Sequence, residues 1–191
     1  MCARAYKYSL KLYIINSLYG NMNYNRSSQH SAHDNAPVII RLASREDAAT
    51  VSAITDAAYS KYIQRLGRKP EPMTGNYVDL ISKHSVYLLL IGDQPVGVLV
   101  LKYEPDQTLI WSVAIHPEHQ RQGLGLHLLE HAEHEALAHG NKSIRLYTNS
   151  LFVENIALYK RLGYEESRRE PFLGSTVVHM TKTLKERIKK T

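Results

Sequence analysis

Val113 to Leu129 reads V-A-I-H-P-E-H-Q-R-Q-G-L-G-L-H-L-L, and this stretch constrains the fold more than any other. Strand-forming residues run into a turn marked by Pro117, and an amphipathic helix follows. Gly123 and Gly125 fall in that helix's first turn. A helix start leaves several backbone N–H groups without internal partners and carries the positive end of the helix dipole. Glycines there let a ligand approach the main chain. The combination is a site for an anion, most naturally a pyrophosphate.

Patterning arranges the rest of the chain around this stretch. Val38–Ala43 reads as a strand. Ser44 opens a helix, with Asp47 placed as in a capping box, and Ala48, Val51, Ile54, Ala58 and Tyr62 follow at helical spacing. Gly67, Pro70 and Pro72 break regular structure over residues 65–73, and residues 74–83 suit a shorter helix. Residues 86–91 and 96–103 form a hairpin about G-D-Q-P, and a third strand, 109–115, leads into the glycines. The helix predicted over 122–139 carries Leu124, Leu128, Leu129, Ala132, Ala136 and Leu137 on one face and ends at Gly140-Asn141. A strand over 143–148 then lies parallel to 109–115 through a right-handed crossover. A helix over 154–162, closed by Gly163, and a hairpin of 164–170 with 176–184 complete the order. The fold class expected is α/β (α+β by some schemes): one mixed, mostly antiparallel central sheet of six to seven strands with helices on both faces.

Of the formal charge of +6, residues 1–35 carry +3 and residues 182–191 carry +4, which leaves −1 for 36–181. The basic character sits at the two ends, so the body gives no sign of a nucleic-acid surface, and nucleic acid is not an expected partner. Residues 1–35 read as a separate N-terminal extension, disordered by composition and without a signal-peptide cleavage site. Residues 36–184 form one domain and 185–191 a basic tail. No apolar run has the length of a membrane span. The lone Cys2 excludes a disulfide framework and a multi-cysteine metal site, and no metal is expected. That cysteine usage fits a reducing compartment, and a cytoplasmic location is expected.

Spacing excludes two nucleotide-binding motifs. A dinucleotide fingerprint needs a third glycine where Leu128 stands, and an NTPase phosphate loop needs Gly-Lys-Ser/Thr. What remains is Gln120-Arg121-Gln122-Gly123-Leu124-Gly125. It resembles the Gln/Arg-x-x-Gly-x-Gly/Ala pattern of the GNAT superfamily of acetyl-CoA-dependent N-acetyltransferases. A second block, N-I-A-L-Y-K-R-L-G-Y over 155–164, resembles that family's next motif, at the right distance and in the right order. The resemblance covers residues 38–184. It implies acetyl transfer from acetyl-CoA, as co-substrate, to a primary amine by direct attack in a ternary complex.

The resemblance also implies roles. Backbone N–H groups of Arg121, Gln122, Gly123, Leu124, Gly125 and Leu126 would hold the pyrophosphate, and Arg121 can add a charge-assisted bond. Val113, Ala114 and Ile115 would pair with the pantetheine arm, and an N–H near Val113 would face the thioester oxyanion. Asn155 would bind the cofactor arm, and Tyr159 would protonate the departing thiolate. The expected amine is a small molecule or a peptide, and a homodimer is allowed. The general base is open: T-L-I-W-S-V-A-I holds no carboxylate, which leaves Glu104, Asp106, His116, Glu118 or a water relay.

Structural roles compete with each of these. Gly123 and Gly125 would also serve close helix packing, Tyr159 a core, and Asn155 a helix first turn. His127, His131 and His134 lie on one helix face with Glu130, read as a solvated face rather than a metal site. Arg65, Arg68 and Lys69, with Tyr59 and Tyr62 before them, either contact substrate or are exposed. Two other functions fit the sequence: a non-catalytic CoA-binding regulatory module, for want of a base carboxylate, and an acyltransferase acting on aminoacyl-tRNA, suggested by the basic ends.

Overall fold

The computed structural model describes residues 36–185. The expectations for residues 1–35, for Cys2 and for the basic tail beyond Lys185 lie outside the described residues. Seven strands form one sheet: β1 Val38–Leu42, β2 Ser85–Ile91, β3 Gln94–Tyr103, β4 Thr108–Ile115, β5 Ser143–Asn149, β6 Glu165–Phe172 and β7 Ser175–Thr183. Their order is β1-β2-β3-β4-β5-β7-β6, and only β4 and β5 run parallel. The helices are α1 Ala48–Leu66, α2 Tyr77–Lys83, α3 Leu124–Ala138 and α4 Val153–Arg161. The mixed, mostly antiparallel sheet expected from the pattern is the one observed.

Two apolar clusters fill the two faces. Leu128, Leu129 and Ala132 of α3 and Tyr159 of α4 pack with Leu89, Leu99 and Ile115 on one side. Val51, Ile54 and Ala58 of α1 and Tyr77 of α2 pack with Leu88, Val98 and Trp111 on the other. Burying each valine, leucine or isoleucine among them stabilises the fold by about 1.5–3 kcal/mol, so both faces of the sheet hold it together. Gly97 is required by packing: a Cβ there would lie 2.7 Å from Ile115 Cδ1 and 3.2 Å from Leu89 Cβ. Its lack of a side chain lets Ile115 cross β3 beneath α3.

Local chemistry moves some element ends. A 3₁₀ turn, Arg45–Asp47, precedes α1. The Asp47 carboxylate accepts from the Ser44 N–H at 2.7 Å and from Arg41 at 2.7 and 2.9 Å, so the expected capping box forms around an ion pair. Helix α1 runs one turn further than its apolar spacing predicts, through Arg65, and Gly67 closes it at φ 65°. Helix α3 begins two residues later than predicted, because Arg121 and Gly123 have φ of 64° and 83° and cannot be helical. Among the described residues, no helix is long and apolar enough to cross a membrane.

Candidate functional site

Strands β4 and β5 pair only over Thr108–Ile110 with Ile144–Leu146, and then part. The parting coincides with a bulge: Val100 and Leu101 of β3 face Ser112 and Ile110, which leaves Trp111 extra in β4. Such a residue bends its strand and sharpens the local twist. Beyond the bulge β4 keeps β3 on one side and has lost β5 on the other. The His116 N–H bonds to the Val96 carbonyl at 2.8 Å. Antiparallel alternation therefore points Ser112 and Ala114 into the β3 ladder and turns the main chain of Val113 and Ile115 to the open side. The expected trio of binding strand residues is thus narrowed. Val113 and Ile115 offer free N–H edges, while the Ala114 main chain is taken up by Val98.

Past Ile115 the chain makes a 3₁₀ turn, Pro117–His119, and then a four-residue step, 120–123, into α3. Gln120 anchors this bend, donating from Nε2 to the Ile115 carbonyl at 2.9 Å and accepting from Lys61 of α1 at 3.0 Å. The backbone N–H groups of Arg121, Gln122, Gly123, Leu124 and Gly125 have no partner among the described residues. Leu126 differs: its N–H is bonded to the Gly123 carbonyl at 2.9 Å, so the sixth expected donor is used internally. At Gly123 a Cβ would meet nothing within 4 Å, and at Gly125 only Ile115 Cγ1 at 3.9 Å. Open space faces both glycines, so close helix packing does not explain them. The Arg121 side chain is exposed on the same bend. Five unpaired donors at a helix N-terminus, with an arginine beside them, fit a diphosphate.

Helix α1 and the start of α4 close the side of the opening. Tyr59 Oη donates to the Val113 carbonyl at 3.2 Å and lies 3.4 Å from Ser112 Oγ. The Tyr62 hydroxyl pairs with the Asn155 amide at 3.3–3.4 Å, and its ring lies tilted against Phe152 with centroids 4.1 Å apart. Asn155 is therefore more than a first-turn residue. Tyr159, one turn on, is 9% exposed. Burial raises its pKa above the ordinary phenol value, and the Tyr59 and Tyr62 phenols add to the rise. It is a phenol held protonated, which suits a donor better than a base.

Other expected residues stand elsewhere. Glu104 forms a two-point ion pair with Arg145 at the paired end of β4, so its carboxylate is not placed at the bend as a general base. His116, half-buried, and Glu118, exposed, sit at the bend 3.8 Å apart. Arg65 bonds Glu154 of α4 at 2.6 Å, and the Arg68 guanidinium lies 5.1 Å from the centre of the Phe172 ring. The solvated histidine face is corrected too: His127 and His134 are exposed, but His131 packs edge-on against Tyr87, with ring centroids 4.6 Å apart. Burial lowers its pKa. Among the described residues, no group of three His, Cys, Asp or Glu side chains could hold a metal ion. Sequence reasoning passed over Gln120, although it opens the glycine motif, and Lys61, which carries no motif at all.

Comparison with known proteins agrees with this geometry. The chain is 37% identical over 62 residues to the [ribosomal protein bS18]-alanine N-acetyltransferase of Escherichia coli K12, a match covering 32% of this chain and 42% of that protein. The chain thus spans under half the length of that curated relative. The crystal structure of the E. coli ribosomal-protein-S18-alanine N-acetyltransferase superposes with a TM-score of 0.64 at 19% identity, covering 81% of this chain and 99% of that one. The PaiA N-acetyltransferase of Thermoplasma acidophilum, in complex with coenzyme A, gives a TM-score of 0.65 at 16% identity, with 77% and 99% covered. These two likenesses establish the fold. The model of the acetyltransferase (GNAT) family matches residues 51–164, and the chain belongs to that family.

Proposed function

We propose that this protein moves the acetyl group of acetyl-CoA to a primary amine, by direct attack in a ternary complex. The observation that carries the reading is the run of five unpaired N–H groups, Arg121 to Gly125, beside a strand edge that has lost its neighbour. The N–H groups of Arg121–Gly125 hold the diphosphate, with Arg121 adding charge. The Val113 and Ile115 edge binds the pantetheine arm as an added strand, and Asn155 steadies it. An N–H at Val113 faces the thioester oxygen as it gains charge, an interaction typically worth about 3 kcal/mol. The amine lone pair forms the C–N bond, the C–S bond breaks, and Tyr159 gives its proton to the leaving thiolate.

Residues 36–184 make the catalytic domain in this reading, with 1–35 and 185–191 as appendages, and the enzyme works in the cytoplasm. The similarity to enzymes named for a ribosomal-protein alanine favours a peptide or protein amine among the possible acceptors. Purified protein with acetyl-CoA and a panel of small amines and alanine-led peptides tests this. Free thiol should appear with an acetylated amine in equal amount. Acetyl-CoA binding without transfer to any amine would leave a regulatory CoA-binding module instead.

A further inference from the structure

We propose that Glu71 is the final proton acceptor for the attacking amine, reached through the Tyr147 hydroxyl; this rests on the acetyltransferase reading above. Strand β4 carries no carboxylate, and Glu104 is spent on Arg145. Glu71 lies in the 3₁₀ turn Glu71–Thr74 between α1 and α2, far in sequence from the glycine bend. Its Oε2 accepts from Tyr147 Oη at 3.2 Å.

Tyr147 occupies a special place. It follows Leu146, the last β5 residue paired with β4, so it stands where the two strands part. Its side chain packs on the α1 face. Tyr59, which bonds the Val113 carbonyl, lies within electrostatic reach of the Tyr147 phenol. The carboxylate is therefore linked through one phenol to the parting of β4 and β5, on the face away from α3. Other charges face this pair. Lys102 of β3 is within electrostatic reach of Glu71, and its ammonium lies over the Trp111 ring at 4.6 Å. Arg145 of β5 acts on Tyr147 but is tied to Glu104. His179 of β7 has its ring 6.1 Å from Tyr147 and its Nε2 2.9 Å from Glu170. Arg168 of β6 bonds both His179 and Glu170.

The proton balance closes without another reactant. An N–H bond of the bound ammonium breaks and its proton moves to the Tyr147 oxygen. The proton already on Tyr147 moves to Glu71 Oε2, giving a neutral amine and a carboxylic acid. After attack, C–S cleavage draws the Tyr159 proton to sulfur, and the extra proton left on nitrogen restores Tyr159. Glu71 then releases its proton to solvent.

Glu71→Gln keeps an acceptor oxygen for Tyr147 and removes the basic one. The wild-type kcat/KM for the amine should be flat through neutral pH. In the variant it should be about a hundredfold lower at pH 7, a typical scale for losing a general base, and should climb about tenfold per pH unit toward the amine's own pKa. Acetyl-CoA affinity by calorimetry should not change, and Tyr147→Phe should reproduce the same profile. A variant equal to wild type at every pH overturns the assignment, as does a loss by the same factor at every pH. A His179→Asn profile that climbs while the Glu71→Gln profile stays flat moves the role to His179. Wild-type protein that binds acetyl-CoA but transfers nothing overturns the acetyltransferase reading itself, and this assignment with it.

Discussion

The two ends of β4 are built from similar residues and treated in opposite ways. At Thr108–Ile110 the strand is paired on both sides, with β3 and with β5. Asn141, buried at the end of α3, donates to Thr108 Oγ1 at 3.0 Å and to the Glu104 carbonyl at 3.3 Å, and Arg145 clamps Glu104 outside. Beyond the Trp111 bulge the same strand keeps one neighbour. Tyr59 and Gln120 cap the carbonyls of Val113 and Ile115, and the N–H groups of those residues face the side that β5 has left. One apolar strand thus satisfies its main chain fully at one end and, in the proposed function, withholds pairing at the other for the cofactor. The bulge is the switch between the two regimes.

The sharpest way to break this contrast is at the open end. Gly125→Trp should lower coenzyme A affinity by more than a hundredfold by calorimetry while leaving the fold intact. The indole has room to enter, since only Ile115 Cγ1 lies within 4 Å of a Cβ there, and it would cover the unpaired N–H groups. Gly125→Ala adds one methyl to open space and should bind nearly as wild type. Equal affinity in the tryptophan variant would remove the bend from the binding site.

A matched pair of substitutions sharpens the comparison further. Asn141→Ala at the closed end strips two hydrogen bonds from a buried position. It should cost about 1–3 kcal/mol in chemical denaturation and leave kcat and both KM values unchanged. Gln120→Ala at the open end removes the tie between the Ile115 carbonyl and Lys61. It should weaken acetyl-CoA binding about tenfold, the equivalent of one ordinary hydrogen bond, with a smaller effect on stability. If both variants lose stability alone, the two ends do not differ in purpose.

How much of this contrast the sequence shows depends on the range of the interactions. Alternation and helical spacing place the strands, the helices and the glycine bend, because those signals are local. The Asn155 and Tyr159 positions come from a motif one helix and one strand away. The bulge at Trp111 leaves no mark in T-L-I-W-S-V-A-I, since it depends on how β3 and β5 grip the two ends of β4. Which strand residues have free N–H groups cannot be read without that register, and so the sequence alone does not separate Ala114 from Val113 and Ile115. Glu104 looked available because its partner, Arg145, comes from a distant strand. Tyr59, Lys61 and Glu71 act across the sheet on residues far along the chain, a relation no spacing rule encodes.

The subtlest difference between the two ends concerns pH. Burial and the neighbouring phenols raise the Tyr159 pKa above its ordinary value of about 10. The role assigned to Tyr159 needs the protonated form. A raised pKa keeps that form present as pH increases, so its loss moves to more alkaline pH, not less. Turnover in wild-type protein should therefore show no alkaline fall below about pH 10 that Tyr159→Phe abolishes. The variant itself should lower kcat by about ten- to a hundredfold with acetyl-CoA affinity unchanged. A wild-type alkaline limb near pH 8 that disappears in Tyr159→Phe would mean that the phenol ionises easily, and that it meets more water than its burial on the inner face of α4 allows.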